Sequence, residues 1–131
     1  MKIYNTLSGK KETLNTIETN RIKMYVCGMT VYDDSHIGHA RTFLSFDLIV
    51  RYLRHEGYIV DYVRNITDVD DKIIQRSEEL ELDTSDLTKK YISSMQADFF
   101  ALGMIEPDKE PRATENINSI ISLIETLIQK G

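Results

Sequence analysis

Residues 22–66 read IKMYVCGMTVYDDSHIGHARTFLSFDLIVRYLRHEGYIVDYVRNI, and this stretch decides the fold. It opens with a β-favouring run at 22–26 and closes with a second one at 58–66, rich in β-branched and aromatic residues. Between them, residues 37–56 have helical periodicity, and Gly57 stands where a left-handed C-cap is expected. A strand, a long helix and a strand within about 45 residues predict a right-handed βαβ unit with parallel strands. We therefore predict an α/β protein.

The predicted helix has a broad apolar surface of the kind that packs on a sheet. This surface comprises Ala40, Phe43, Phe46, Val50 and Leu53, widened by Leu44, Leu48 and Ile49. The strand that follows alternates only weakly between apolar and polar residues. Such a pattern predicts a strand that is buried on both faces.

The chain on either side of this unit predicts a hairpin before it and helices after it. Residues 2–14 form two short extended pieces around a turn at Ser8-Gly9-Lys10-Lys11. Helices are expected at 69–80, 85–102 and 114–130.

Two further details concern the helical segment. We expect Thr67 or Asp68 to cap its first helix, and Pro107 and Pro111 mark a loop between the last two. The apolar stripes are expected to lie in the core. They comprise Leu87, Tyr91, Met95, Phe99 and Leu102 in one helix and Ile117, Ile120, Ile121, Ile124, Leu127 and Ile128 in the last.

Composition limits the kind of protein and its location. With 131 residues, 41% hydrophobic and 28% charged, the chain is expected to fold as one globular domain. A net charge of -5 provides no global basic field, so any RNA contact must be local or lie elsewhere. A single cysteine excludes a disulfide framework, and neither a signal-peptide pattern nor a membrane-length apolar run is present. We therefore expect a cytoplasmic protein with no membrane partner.

The chemistry is expected at one edge of the predicted sheet. In open parallel sheets, ligands bind beyond the carboxyl ends of the strands. Those ends carry Cys27-Gly28-Met29-Thr30 after the first strand and Asn65-Ile66-Thr67-Asp68 after the second. Both polar clusters are predicted to face one cleft.

His36 and His39 lie three residues apart at the start of the predicted helix, and several interpretations stay open. A helix N-terminus attracts anions, so the two imidazoles could bind phosphate while Gly38 lets a nucleotide approach. They could equally be exposed or capping residues. With Cys27 they could form a metal site or a nucleophilic Cys/His pair, but spacing does not show that they meet. A small buried apolar side chain is another interpretation of Cys27.

The acidic cluster Asp68, Asp70 and Asp71 also has two interpretations. The carboxylates could cap the following helix and complement its dipole. They could instead bind a substrate ammonium or a magnesium ion.

Three stretches of the chain resemble the cysteinyl-tRNA synthetase family of class I aminoacyl-tRNA synthetases. His36-Ile37-Gly38-His39 is similar to the HIGH motif of that class, and it is surrounded by the more specific YVCGMTVYDDSHIGHARTFLSFD, RYLRHEGYIVDYVRNITDVDDKIIQR and DFFALGMIEPDKEPRAT. The resemblance covers nearly the whole chain. It implies a Rossmann-like parallel sheet that forms the HIGH-type nucleotidyl-transferase half of a catalytic domain. The βαβ unit would span about 22–66 and the following helical segment about 69–131.

The resemblance also implies a reaction. Cysteine attacks the α-phosphate of ATP, bound with Mg²⁺, and the cysteinyl group of the adenylate then passes to tRNA(Cys). His36 and His39 are implied to contact the phosphates, with Gly38 and Thr30 shaping the ATP site. Gly28 and Thr67 are implied to help hold the amino acid. Catalysis would rest on positioning and on stabilisation of charge.

By the same resemblance, Cys27 is a zinc ligand, and zinc favours the thiolate of cysteine over the hydroxyl of serine. The other zinc ligands and the KMSKS loop of the family have no counterpart in this sequence. We therefore expect residues 1–131 to be the N-terminal part of the class I catalytic domain, with the remaining catalytic and anticodon-binding domains, and most tRNA contacts, elsewhere.

Three alternatives remain open. One is a cysteine ligase of mycothiol synthesis, which joins cysteine to an amino sugar. Another is a non-catalytic nucleotide-binding module. The third is a metal-dependent phosphohydrolase built from His36, His39, Asp68, Asp70 and Asp71.

Overall fold

The computed structural model describes all 131 residues. Four strands and four α-helices follow one another along the chain, with a short 3₁₀ turn at Thr114–Asn116. They are β1 (Lys2–Asn5), β2 (Lys10–Thr13), β3 (Arg21–Val26), α1 (Ile37–His55), β4 (Ile59–Arg64), α2 (Asp71–Leu80), α3 (Thr84–Ala101) and α4 (Ile117–Lys130). None of the helices combines the length and apolar character that a membrane crossing requires.

The predicted βαβ unit is confirmed. β3 and β4 pair in parallel, in a register that runs from Arg21 opposite Ile59 to Val26 opposite Arg64. α1 connects them and packs against β4. The helix ends at His55, and Gly57 takes φ 89°, a left-handed conformation that costs glycine little. β1 and β2 form the predicted hairpin as a separate antiparallel sheet.

The predicted loop between α3 and α4 adds a short extended segment to the sheet. Its residues Lys109 and Arg112 make parallel bridges with Val63 and Ile66 on the free side of β4. The Ile66 amide donates to the Pro111 carbonyl at 2.9 Å. Because this segment lies at the sheet edge, the missing N–H of proline leaves no ladder bond broken.

The apolar core lies between one face of the sheet, α1 and α3. Its buried members are Val26, Met29, Val31, Phe43, Val50, Leu53, Val60, Tyr62, Ile66, Ile73, Leu87, Tyr91, Ile92, Met95 and Phe99. Phe43 of α1 and Phe99 of α3 meet with ring centroids 5.0 Å apart. This contact joins the βαβ unit to the helical segment.

One ion pair is built into this core. Arg64 is only 5% exposed, and its guanidinium lies 5.2 Å from the Phe43 ring centre and 4.8 Å from that of Phe99. Glu110 accepts from it at 2.6 Å. A buried charge requires such a partner, so this pair links the added edge segment to β4.

Two predictions about burial were wrong. Val60, Tyr62 and Arg64 of β4 point into the core, whereas Ile59 is 60% exposed, so within this chain only one face of the strand is covered. On α1, Leu44 and Leu48 are exposed at 37% and 68%. The sheet covers only part of the wide apolar surface of the helix.

The prediction for the last helix was also wrong as regards its place in the core. α4 forms near the predicted position, but it has no buried residue. Its stripe residues are between 42% and 73% exposed. Periodicity predicted the helix correctly, yet nothing in the chain covers its apolar face.

Candidate active site

Asn65 joins the carboxyl ends of β3 and β4. Its side-chain oxygen accepts from the Gly28 amide at 2.7 Å, and its side-chain nitrogen donates to the Thr67 hydroxyl oxygen at 3.2 Å. The backbones of Met29 and Thr67 are also paired, with the Thr67 amide donating to the Met29 carbonyl at 3.2 Å. The two polar clusters therefore meet at one edge of the sheet, as expected.

Gly28 is required at this edge by the approach of two backbones. A Cβ atom built on Gly28 would lie 1.6 Å from the Asn65 carbonyl oxygen. Because no side chain fits in that space, glycine allows the strand ends to meet. The Gly28 amide is occupied by Asn65, so it is not free to bind an amino acid.

Thr30 belongs to the same edge and forms a parallel bridge with Thr67. The amide of the next residue, Val31, donates to the Thr67 carbonyl at 3.2 Å. Both threonines are partly buried. The structure thus brings Gly28, Thr30 and Thr67 together. Sequence reasoning gave no role to Asn65, and its only signal was a polar residue directly after a buried strand.

His36 and His39 cap the start of α1. The His36 Nδ1 atom accepts from the Gly38 amide at 3.0 Å, and the His39 Nδ1 atom accepts from the His36 amide at 3.2 Å. The rings stack with centroids 3.9 Å apart. An Nδ1 atom that accepts carries no proton, so each neutral ring has its hydrogen on Nε2. The pair therefore presents two Nε2–H donors that the cap does not use.

Gly38 makes room for this pair. A Cβ atom there would lie 2.8 Å from Cε1 and 3.0 Å from Nδ1 of His36. The absence of a side chain lets the His36 ring fold back over the first turn. The contact that requires glycine is thus internal to the motif, whether or not a nucleotide also approaches.

The surroundings of His39 favour its neutral form. Partial burial, and then the neighbouring His36, lower the pKa of His39 from its ordinary value of 6.5. Desolvation penalises the charged form, and a second imidazolium nearby adds repulsion. His39 is therefore held as a neutral hydrogen-bond donor around neutral pH.

The turn between the strand end and α1 is fastened to the helical segment. Ser94 of α3 donates to the Asp34 carboxylate at 2.7 Å, and Arg76 of α2 lies 3.7 Å from Asp33. The Ser35 hydroxyl contacts the Met29 sulfur at 3.6 Å. These bonds hold the histidine pair and the strand-end edge in a fixed relation.

Cys27 is an exposed free thiol at the end of β3, so the interpretation as a buried side chain was wrong. The Cys27 Sγ atom lies 3.8 Å from the Gly28 carbonyl oxygen, and it makes no hydrogen bond to either histidine. The chain brings no three His, Cys, Asp or Glu side chains together in a metal-binding arrangement. Cys27 can therefore supply one zinc ligand, but these residues do not complete a tetrahedral site.

Two carboxylates of the acidic cluster, Asp68 and Asp70, make structural hydrogen bonds. Asp70, rather than Thr67 or Asp68, caps α2 by accepting from the Lys72 amide at 2.9 Å. The Asp68 carboxylate instead accepts from the amide of Thr114 at 2.9 Å and from its hydroxyl at 2.5 Å. That long-range partner is invisible in the local pattern, which explains why the cap was wrongly predicted. A phosphohydrolase metal site is not formed from these residues.

The sequence of the chain was compared with those of known proteins and protein families. Residues 13–131 match the family described as the tRNA synthetases class I (C) catalytic domain. The cysteine–tRNA ligase of Francisella tularensis subsp. novicida (strain U112) is 55% identical over 131 residues, and that of Chromohalobacter salexigens is 52% identical over the same length. Each match covers 100% of this chain and 28% of the relative, so the chain spans little more than a quarter of their length. The chain belongs to the class I (C) tRNA synthetase catalytic-domain family.

Proposed function

We propose that these residues are the HIGH-type half of a site that activates cysteine with ATP and transfers it to tRNA(Cys). The observation that carries the proposal is the stacked His36–His39 pair, whose Nε2–H donors remain free at the start of α1. The pair follows a short turn that begins after Gly28, where the carboxyl ends of β3 and β4 meet. The name cysteine–tRNA ligase carried by the relatives supports the same reaction.

On the ATP side, the two imidazoles donate to phosphate oxygens of Mg²⁺-bound ATP. The donors are fixed before substrate arrives, because each ring is held through its Nδ1 atom and by stacking on its neighbour. Fixed donors aimed at developing charge stabilise a transition state without reorganisation. The lowered pKa of His39 keeps its Nδ1 atom unprotonated and thus keeps the cap intact.

On the amino-acid side, Thr67 is the donor. Asn65 donates to the Thr67 oxygen, so the hydroxyl hydrogen of Thr67 is free to bond a substrate acceptor. Gly28 serves the site by letting the strand ends meet. Asn65 is then a positioning residue for both.

Cys27 supplies one ligand of a zinc ion whose other ligands lie outside these 131 residues. Zinc bound there would favour a thiolate substrate over a hydroxyl. We place residues 1–131 in the first part of the catalytic domain, with most tRNA contacts elsewhere, and the protein in the reducing cytoplasm, where a free exposed thiol persists.

The test is cysteine-dependent exchange between ATP and pyrophosphate in the full-length protein. Asparagine is a preferred N-cap residue, so His36→Asn retains the cap and removes the imidazole. We expect exchange to fall about 100-fold or more with little loss of stability. His55→Asn, at the other end of α1, is the matched control and should keep full activity.

Three outcomes would count against this function. They are exchange that does not require cysteine, full activity of His36→Asn, and transfer to glucosaminyl-inositol instead of tRNA; the last would favour the mycothiol ligase. For the metal, Cys27→Ala should lower the zinc content from about one ion per chain, measured by mass spectrometry. Unchanged zinc content would remove Cys27 from the ligand set.

A further inference from the structure

The β1–β2 hairpin stands apart from the rest of the chain. It forms its own two-stranded sheet, none of its strand residues is buried, and all but Asn5 are exposed. The family match begins at residue 13, so most of the hairpin precedes the matched catalytic domain. Within residues 1–131, the hairpin is therefore an exposed surface segment.

The pairing register sorts the hairpin side chains onto two faces. Residues directly opposite each other in an antiparallel pair share a face, as do residues two apart. Lys2 pairs with Thr13 and Tyr4 with Lys11, so these four residues form one face, which we name the basic face. Ile3, Asn5, Lys10 and Glu12 form the opposite face.

The two faces differ in charge. The basic face carries two lysines and no acid, and Tyr4 between them is 61% exposed. The one acid of the hairpin, Glu12, lies on the other face, where Asn5 donates to it at 3.0 Å. Residues 1–16 contain three lysines and one glutamate, whereas the remaining chain has 13 basic and 20 acidic residues. The basic face is therefore a local positive patch on an acidic protein.

We propose that the basic face binds RNA, with Lys2 and Lys11 on phosphates and the Tyr4 ring on a base or ribose. Lysines that neutralise phosphates and exposed aromatic rings that stack on bases are the two elements of sequence-tolerant RNA binding. An acidic polypeptide would use the lysines but would gain little from the tyrosine. This inference rests on the proposed function for the identity of its RNA, which is a tRNA.

The hairpin itself contains a matched control. Lys11→Glu reverses one charge on the basic face and Lys10→Glu makes the same single change on the opposite face, so Lys11→Glu should weaken binding more than Lys10→Glu. Lys2→Glu/Lys11→Glu reverses both lysines of the basic face. We expect the double variant to bind a fluorescein-labelled tRNA transcript at least about tenfold more weakly and to lower the salt slope by about 2, while Lys10→Glu stays within about twofold. Tyr4→Ala should weaken binding about fivefold or more, and Tyr4→Phe should restore it. Tyr52→Ala, on exposed α1 surface, is the aromatic control.

The full-length protein separates this inference from the proposed function. Exchange between ATP and pyrophosphate needs no tRNA, so the double variant should keep wild-type exchange while its KM for tRNA in aminoacylation rises. If wild-type protein shows no exchange, the proposed function fails. The tRNA-binding measurement still tests whether the basic face of the hairpin binds RNA. Equal losses in the double variant and in Lys10→Glu, unchanged binding in both, or equal competition by poly-glutamate and RNA would overturn the proposal.

Discussion

α1 and α4 are both amphipathic helices, with 19 and 14 residues, but their surroundings differ. α1 buries Phe43, Val50 and Leu53, whereas α4 buries nothing. The N-terminus of α1 is closed by the His36–His39 capping box, and that of α4 has no side-chain cap.

The difference shows that an apolar stripe predicts a helix without predicting its partner. α1 connects two parallel strands, and the crossover geometry places it on the sheet. α4 does not connect two strands of this chain and so has no such constraint. Its contiguous exposed apolar face is of the kind that marks an interaction surface.

Amide hydrogen exchange should give the largest contrast between the two helices. Helices of this length are marginal without tertiary packing. In the 131-residue chain, we expect the central amides of α1 to exchange about a thousandfold more slowly than those of α4, near the rate of global unfolding. Equal protection would show that α4 is packed and would break the comparison.

A matched pair of truncations should sharpen the contrast. Phe43→Ala removes a ring that is 3% exposed and contacts both Phe99 and Arg64, so we expect it to lower the free energy of unfolding by about 3–5 kcal/mol. Ile124→Ala, at a site that is 49% exposed, should change it by no more than about 0.5 kcal/mol. Urea unfolding of both variants measures the difference. A large loss in Ile124→Ala would contradict the exposure of α4.

The cap of α1 should have a smaller effect. His36→Ala removes the acceptor of the Gly38 amide, and we expect a loss of about 1 kcal/mol in the free energy of unfolding. His36→Asn should recover most of that loss, because asparagine caps well. Failure of asparagine to restore stability would mean that ring stacking, rather than the cap, stabilises this turn.

Lowering the pH should act on the same turn. Because the pKa of His39 is lowered in the folded chain, the unfolded chain binds more protons as the pH falls below the ordinary value of 6.5. The stabilising contribution is full above that pH and is lost as the pH falls through the folded pKa. We expect faster amide exchange at the start of α1 at pH 5.5 than at pH 7.5, after correction for intrinsic rates, and no such change in α4, which has no histidine.

Glutamine at the third helical position can also complete a capping box, so His39→Gln provides the control for the pH effect. In that variant the pH dependence at the start of α1 should largely disappear. A pH dependence equal to that of the unaltered chain would show that another group titrates at this turn.

Most of the βαβ unit and half of the candidate site were predictable because their causes are local. The His36–His39 pair forms within four residues, and the bounds of α1 follow from a cap at one end and Gly57 at the other. Asn65 was missed because its role depends on Gly28, 37 positions away. The cap of α2 was misassigned because Thr114, 46 positions away, occupies Asp68.

The sequence by itself determined the order and kind of the elements and the parallel pairing of β3 with β4, and it gave the histidine cap of α1 as one of several interpretations. Neighbouring residues fix periodicity, turn conformation and capping bonds, and the crossover connection leaves one packing choice. Only the tertiary structure decided that Asn65 binds Gly28, that Arg64 is buried against Glu110, and that α4 stays uncovered. Those outcomes depend on which distant surfaces meet, and a local pattern carries no information about its partner.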